Sequence, residues 1–349
     1  MPPKFEIDLV SDTASMPTEE MLEAMMSAPL GDEQRNEDPT VMELNSRVAA
    51  LLGQDNAIFL PSGTMCNQIA IAVHCQPGDE IIAAHNSHII SSEGAGAAVF
   101  AQSVIQPINN TYNGIFSVED LHGAVRKRTA KAPRSKLVSI EQTSNRGGGS
   151  VWPLETVSAI NDAAHELGLQ THLDGARLLN ACIAAHVQPV SYAAKFDSVW
   201  IDLSKGLGCP VGAVLAGSSC FIDQATRWKH RMGGAMRQAG ILAAAGLYAL
   251  DNNVRRLVDD HKNAKRFAKQ VSQLPGVNLV FDKIETNLVF FDISETNLTT
   301  EDISQALARR GIRIGVESRH VMRAVFHISV NDKATDKAAS VLKEIIEMS

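Results

Sequence analysis

His172-Leu173-Asp174-Gly175-Ala176-Arg177 and Trp200-Ile201-Asp202-Leu203-Ser204-Lys205-Gly206 are two short apolar runs that each end in charged and small residues. Each is read as a strand delivering polar groups at its carboxyl end, over 169–173 and 198–203. Outward from them the same pattern repeats: apolar, β-rich runs at 57–60, 80–84, 103–108, 136–141 and 212–216 alternate with helix-like segments such as 64–75 and 154–167. That alternation is the signature of an α/β domain with a mainly parallel central sheet and helices on both faces. In open α/β sheets ligands gather at the carboxyl ends of strands, so Asp174 and Lys205 are expected to face one crevice.

Beyond the sheet, 240–251 and the amphipathic 254–272 form a helical connector. After Leu274-Pro275-Gly276 come strands at 277–280, 286–291 and 323–328 and helices at 300–310 and 333–348, a small α+β domain. The expected division is a large domain over 1–252, including an N-terminal segment 1–50, and a small C-terminal domain over 253–349.

The chain has 349 residues, 45% hydrophobic and 20% charged, with a net charge of −7 and no Lys/Arg tract. This balance points to a small-molecule partner rather than nucleic acid. No apolar run is long enough to span a bilayer, and the N-terminus lacks the pattern of a signal peptide. Five cysteines, none in a C-x-x-C pair, suggest neither a disulfide framework nor a zinc site, so a reducing cytoplasm is the expected location. His85 and His88 lack a companion set at metal-ligand spacing, and no metal is expected.

A carboxylate and a lysine amine at neighbouring strand ends have a specific joint use. Pyridoxal 5′-phosphate needs an amine to condense with its aldehyde and a carboxylate to keep its ring nitrogen protonated. Taken singly, Asp174 reads as a helix cap and Lys205 as a solvated loop residue. A third motif gives them joint meaning. Pro61-Ser62-Gly63-Thr64-Met65-Cys66-Asn67 lies between a strand and a helix, where free N–H groups make an anion site. Gly63 and Thr64 are expected to grip the cofactor phosphate, with Asn67 in the same turn.

The chain resembles the L-threonine aldolase family of β-eliminating, fold-type I pyridoxal-phosphate enzymes. The matching stretches are Asp8-Leu9-Val10-Ser11-Asp12-Thr13, Gly31-Asp32, Glu37-Asp38-Pro39-Thr40, Pro61 to Met65, Ser87-His88-Ile89, Leu173 to Arg177, Leu203 to Leu207, Pro210-Val211-Gly212 and Met236-Arg237-Gln238-Ala239-Gly240. They occur in family order along nearly the whole chain. The resemblance implies that Lys205 is the Schiff-base lysine, that Asp174 pairs with the ring nitrogen and that His88 stacks over the ring. It places Arg177 near the ring hydroxyl and the substrate carboxylate, makes Ser11 and Arg323 the other carboxylate-binding pair, and puts Arg237 at the border of the cofactor pocket, from this or a neighbouring subunit. An arginine suits a carboxylate because its planar fork donates two parallel hydrogen bonds. For His88 a packing role, and for Arg323 an exposed edge-strand position, are the competing readings.

Three positions depart from the family, which usually has Arg at Val10, Tyr at Arg35 and His at Ser144. The family histidine lies near the substrate β-hydroxyl, and serine is a poor base. Arg35 either recruits an acidic group of the substrate or pairs with Glu33 or Glu37. The resemblance implies retro-aldol cleavage of a β-hydroxy-α-amino acid, threonine or an analogue, to glycine and an aldehyde. A racemase of a small amino acid such as alanine, a β-eliminating lyase and a non-catalytic pyridoxal-phosphate-binding protein are the alternatives. A homodimer or homotetramer is expected by resemblance.

Overall fold

The strands β2 (Asn56–Leu60), β3 (Asp79–Ala84), β4 (Val104–Ile108), β5 (Arg134–Glu141), β6 (Gln170–Gly175), β7 (Ser198–Asp202) and β8 (Ala213–Gly217) form one sheet in the order β2-β8-β7-β6-β5-β3-β4. The structure is a computed structural model describing residues 5–109, 111 and 113–348. β7, β6, β5, β3 and β4 are parallel, and β8 runs antiparallel to both its neighbours. Helices cover both faces, so strands such as β3, β7 and β8 are buried end to end. That burial is why they read as continuous apolar runs.

Side-chain alternation distributes each strand between two cores. Phe59, Val199 and Ile201 point into a cluster with Leu44, Val48 and Leu173, while Ile58, Leu60 and Trp200 point into another with Ile69, Leu215 and Phe221. The helices Pro39–Leu52 and Gly240–Asn252 close the first face, and Gly63–His74 and Ser219–Arg231 the second.

A second sheet has the order β1-β11-β12-β10-β9, built from β1 (Ile7–Leu9), β9 (Asn278–Leu279), β10 (Leu288–Asp292), β11 (Ile312–Val316) and β12 (Val321–Val325). β1 pairs in parallel with β11, setting Ile7 opposite Ile312 and Leu9 opposite Ile314. Ile7 and Leu9 are buried with Val289, Phe291 and Met322. β1, at the start of the N-terminal segment 1–50 that was grouped with the large domain, thus pairs into the second sheet. A three-residue strand is too short to show a period, and its partner β11 was not read as a strand either. β12 lies between β11 and β10, so Arg323 sits on an interior strand rather than an edge.

The connector is two helices, Gly240–Asn252 and Leu257–Val271, interrupted at Asn253, whose side chain donates to the Leu207 carbonyl at 2.8 Å. Ala243, Ala245 and Ala249 of the first belong to the large-sheet core, and Ala264, Phe267 and Val271 of the second to the C-terminal core. Among the described residues, no helix is long and apolar enough to cross a membrane.

Candidate active site

Glu141, Asp174 and Asp202 stand at or next to the carboxyl ends of the parallel strands β5, β6 and β7. Asp174 is 2% exposed and accepts from Asn67 Nδ2 at 2.8 Å and from the Ala176 N–H at 3.0 Å. Burial first, then the charge of Glu141, push its carboxyl up to about 7, against the pull of Lys205 and the Asn67 bond. Lys205 Nζ lies 2.9 Å from Asp202 Oδ2 and 5.7 Å from the centroid of the Trp200 ring. Burial alone would lower its pKa. Asp202, helped by Asp12 and Asp174 and opposed by Arg177, reverses that and holds it above the ordinary lysine value. The Lys205 carbonyl accepts from Ser15 Oγ at 2.9 Å, which fastens the lysine loop to the N-terminal segment.

The helix Gly63–His74 starts beside this group. Ser62 caps it by accepting from the Met65 N–H at 3.2 Å, and its first intrahelical bond runs from Cys66 N to Ser62 O. The N–H groups of Gly63 and Thr64 thus precede the ladder and are available to an anion, with the Ser62 and Thr64 side chains exposed. Gly63 is obligatory in another way: a methyl group there would run into the indole of Trp200. Asn67 departs from its expected role on the phosphate. It is 1% exposed and fully engaged below the site, donating to Asp174 and to Glu93 Oε1 at 2.7 Å and accepting from Trp200 Nε1 at 2.7 Å. Its work is on the carboxylate, one helical turn from the anion site.

His88 opens a short helix just after β3. Its backbone N–H donates to Glu141 Oε2 and its Nδ1 meets Glu93 Oε1, both at 2.8 Å. The ring is half-buried, and the Glu93 bond raises its pKa over the opposing cost of burial.

Arg177 is buried, and its fork is already filled: Nε and Nη2 donate to the two oxygens of Asp12 at 2.7 and 2.8 Å. Asp12 is fully buried. Although burial opposes it, Arg177 holds the Asp12 carboxyl down at about 2. The remaining Arg177 Nη1 reaches Asn145 Oδ1 at 3.5 Å, and Arg323 Nη1 reaches the same oxygen at 3.4 Å. Arg323 also donates to the Val10 carbonyl at 3.3 Å and pairs with Glu317 at 3.0 Å. Burial, against the pull of Glu317, and then the like charge of Arg177 depress its pKa. Two guanidinium groups from different sheets therefore converge on one amide oxygen, an arrangement suited to a small carboxylate. Ser11, next to Asp12, accepts from the Thr13 N–H at 3.2 Å and caps the turn at Asp12–Ala14.

The other expected residues lie differently. Ser144 is buried at 3%, packed where a methyl on Gly114 or Gly147 would strike its hydroxyl, and its neighbour Asn145 is the one that faces the arginines. Arg35 and Arg237 are exposed and share Asp32, at 3.8 and 2.9 Å. Their loops are joined by Glu33, which accepts from the Met236 N–H and pairs with buried Lys229. Gly234 of the second loop packs on Met65, beside the start of the Gly63–His74 helix. Sequence reasoning missed Asp12, Glu93, Asn145 and Asp202 as site residues. Asp202, three residues before Lys205 at a strand end, carried a readable signal, whereas Glu93 carried none.

The profile of the beta-eliminating lyase family matches residues 8–295. The low-specificity L-threonine aldolase of Escherichia coli K12 is 38% identical over 334 residues, covering 96% of this chain and 97% of the relative. A probable low-specificity L-threonine aldolase 2 of Arabidopsis thaliana is 35% identical, covering 97% of each. In fold, the chain is similar to the Leishmania major threonine aldolase (TM-score 0.82, 21% identity, 97% and 99% covered). A putative L-allo-threonine aldolase of Listeria monocytogenes is comparably similar (0.79, 22%, 99% and 96%).

Proposed function

The chain belongs to the beta-eliminating lyase family, and from that premise we propose that it is a pyridoxal-phosphate-dependent aldolase. It cleaves the Cα–Cβ bond of a β-hydroxy-α-amino acid, threonine, allo-threonine or an aryl analogue such as phenylserine, to glycine and an aldehyde. The observation that carries the reading is a partly buried amine, Lys205, within electrostatic reach of a buried carboxylate, Asp174, that has no cation in hydrogen-bonding contact among the described residues. Asp174 would hold a protonated ring nitrogen that supplies the missing positive charge, and the open N–H groups of Gly63 and Thr64 would hold a phosphate. When bound, the cofactor contributes an aldehyde that condenses with amines and a ring that accepts the electron pair of the broken bond.

The chain's own residues do the rest. Lys205 provides the amine, kept close by Asp202. Arg323, with the free edge of Arg177, binds the substrate carboxylate and so fixes the orientation of the groups at Cα. His88 donates its Nδ1 proton toward Glu93, which leaves Nε2 to accept the proton of the β-hydroxyl. That assignment answers the absence of a base at Ser144. The same family kinship favours cleavage over racemisation or elimination. Assembly as a homodimer or homotetramer is supported by the exposed Leu22, Met26, Leu30 and Met42, which sedimentation would test.

The deciding experiment incubates the purified protein with L-threonine, L-allo-threonine, phenylserine and L-alanine. Glycine and the matching aldehyde are expected from the first three, with loss of the cofactor's visible band shift in Lys205→Ala. D-Alanine without aldehyde would replace this reading with racemisation.

A further inference from the structure

Asn67 does more than touch Asp174; it ends a line of hydrogen bonds that leaves the Gly63–His74 helix at His74, passes through β7 and β6 and returns to the same helix. His74 Nε2 lies 2.7 Å from Ser198 Oγ, Ser198 Oγ lies 2.7 Å from His172 Nδ1, and His172 Nε2 lies 3.0 Å from Asn67 Oδ1. Asn67 Nδ2 then meets Asp174 Oδ2 at 2.8 Å. The four residues come from the end of the Gly63–His74 helix, the start of β7, β6 and the first turns of that same helix.

The direction of every proton in this line follows from chemistry. The Asn67 amide cannot be reversed, because its nitrogen faces two carboxylates, Asp174 and Glu93, and its oxygen faces the donor-only indole Nε1 of Trp200. Asn67 Oδ1 is therefore an acceptor, and His172 Nε2 carries a proton. Burial drives the His172 imidazole down to about 3, so the ring is neutral and its Nδ1 is a bare acceptor. Ser198 must then give its only proton to His172, and its oxygen accepts from His74 Nε2–H. His74, stacked on Phe221, is likewise held neutral by burial, at about 4.

We propose that His74, Ser198, His172 and Asn67 form a one-way chain of donors aimed at Asp174, and that its task is to hold this carboxylate in the charged form. Its importance for the reaction rests on the reading of Asp174 given above; its existence does not. The groups facing Asp174 are Glu141 from the end of β5, Glu93 and His88 from the segment after β3, and Lys205 from the loop after β7. Two of these are carboxylates, and Asp174 is buried, so its charge needs donors to persist. An N–H whose ring accepts at its far side is a stronger donor, which is how Ser198 and His74 act at a distance. Without Ser198 the Nδ1–H tautomer of His172 competes, and it would turn a lone pair toward Asn67 Oδ1. All four are positioning residues.

The test follows Asp174 directly in the full-length protein labelled with 13C at the aspartate carboxyls, assigned by the peak lost in Asp174→Asn. The titration is run without cofactor, and the ring-nitrogen shift of 15N-labelled pyridoxal phosphate is read in the loaded protein. His172→Phe is expected to raise the Asp174 midpoint by about one unit, and Ser198→Ala by roughly half that. His172→Gln, whose amide can place an N–H near the position of Nε2, is expected to return it toward the unsubstituted value. A midpoint unchanged in Ser198→Ala overturns the proposal, and that small deletion decides alone if His172→Phe does not fold. Upward shifts in a protein that takes up no cofactor would keep the chain and overturn the cofactor reading instead.

Discussion

Asp12 and Asp260 show how differently two buried carboxylates can be treated. Both oxygens of Asp12 are matched by the Nε/Nη2 edge of Arg177, one of them also by Asn287 Nδ2 at 3.1 Å, and its carboxyl is lowered to about 2 from an ordinary 3.8. Its folded-state pKa lies below the unfolded one, so its contribution is complete above about pH 4 and is lost as pH falls toward 2, on the order of 2 kcal/mol. Asp12→Asn should remove that slope from denaturation curves taken between pH 2 and 4. It should also weaken substrate binding by leaving Arg177 unanchored. Asp260 pairs with Arg256 through Oδ1, its Oδ2 has no partner among the described residues, and burial lifts it to about 7. Here the native state holds the extra proton, so stability should decline as pH rises from about 4 to about 7, and Asp260→Asn should flatten that decline. Asp174 and Lys205 stood out in the sequence because they lie at or just beyond the ends of apolar strands, whereas His88 was singled out only through the family resemblance. Asp12 on Arg177 was not, since the partners are 165 residues apart and only the fold brings them together.

Among the elements, the Gly63–His74 helix carries the most function per residue. Its start offers N–H groups, its first turn supplies Asn67, and its last residue, His74, reaches Ser198. Ser62→Ala deletes the cap and should cost about 1 kcal/mol of stability, with weaker retention of the phosphate. Gly63→Ala should cost more, about 1–3 kcal/mol, by displacing the Trp200 indole, and tryptophan fluorescence would report the movement. All seven strands of the large sheet were legible; β3, β7 and β8, buried end to end, are written as nearly unbroken apolar runs, and the others were placed by their alternation with helical segments. β1 and β11 were not. Three residues cannot show alternation, and β11, with Arg313 exposed at its second position, interrupts its own apolar signal.

At the scale of the molecule, the arginine pair proposed to take the substrate carboxylate depends on two sheets meeting. Arg323 and Asn287 come from the C-terminal sheet or its border, Arg177 and Asn145 from the large one, and the N-terminal segment passes between them, with Asp12 held from both sides. Removing residues 1–10 deletes β1 and the Val10 carbonyl that receives Arg323. The melting temperature should fall, and KM should rise more than kcat falls, provided the shortened chain is compared under conditions where it stays folded. The placement of β1 also has a consequence in time. Asp8 and Arg313, 305 residues apart, are register neighbours, so a ribosome releases the first strand long before its partner exists. While the nascent chain grows, that segment must wait unpaired, and the pocket is completed only when synthesis is nearly over.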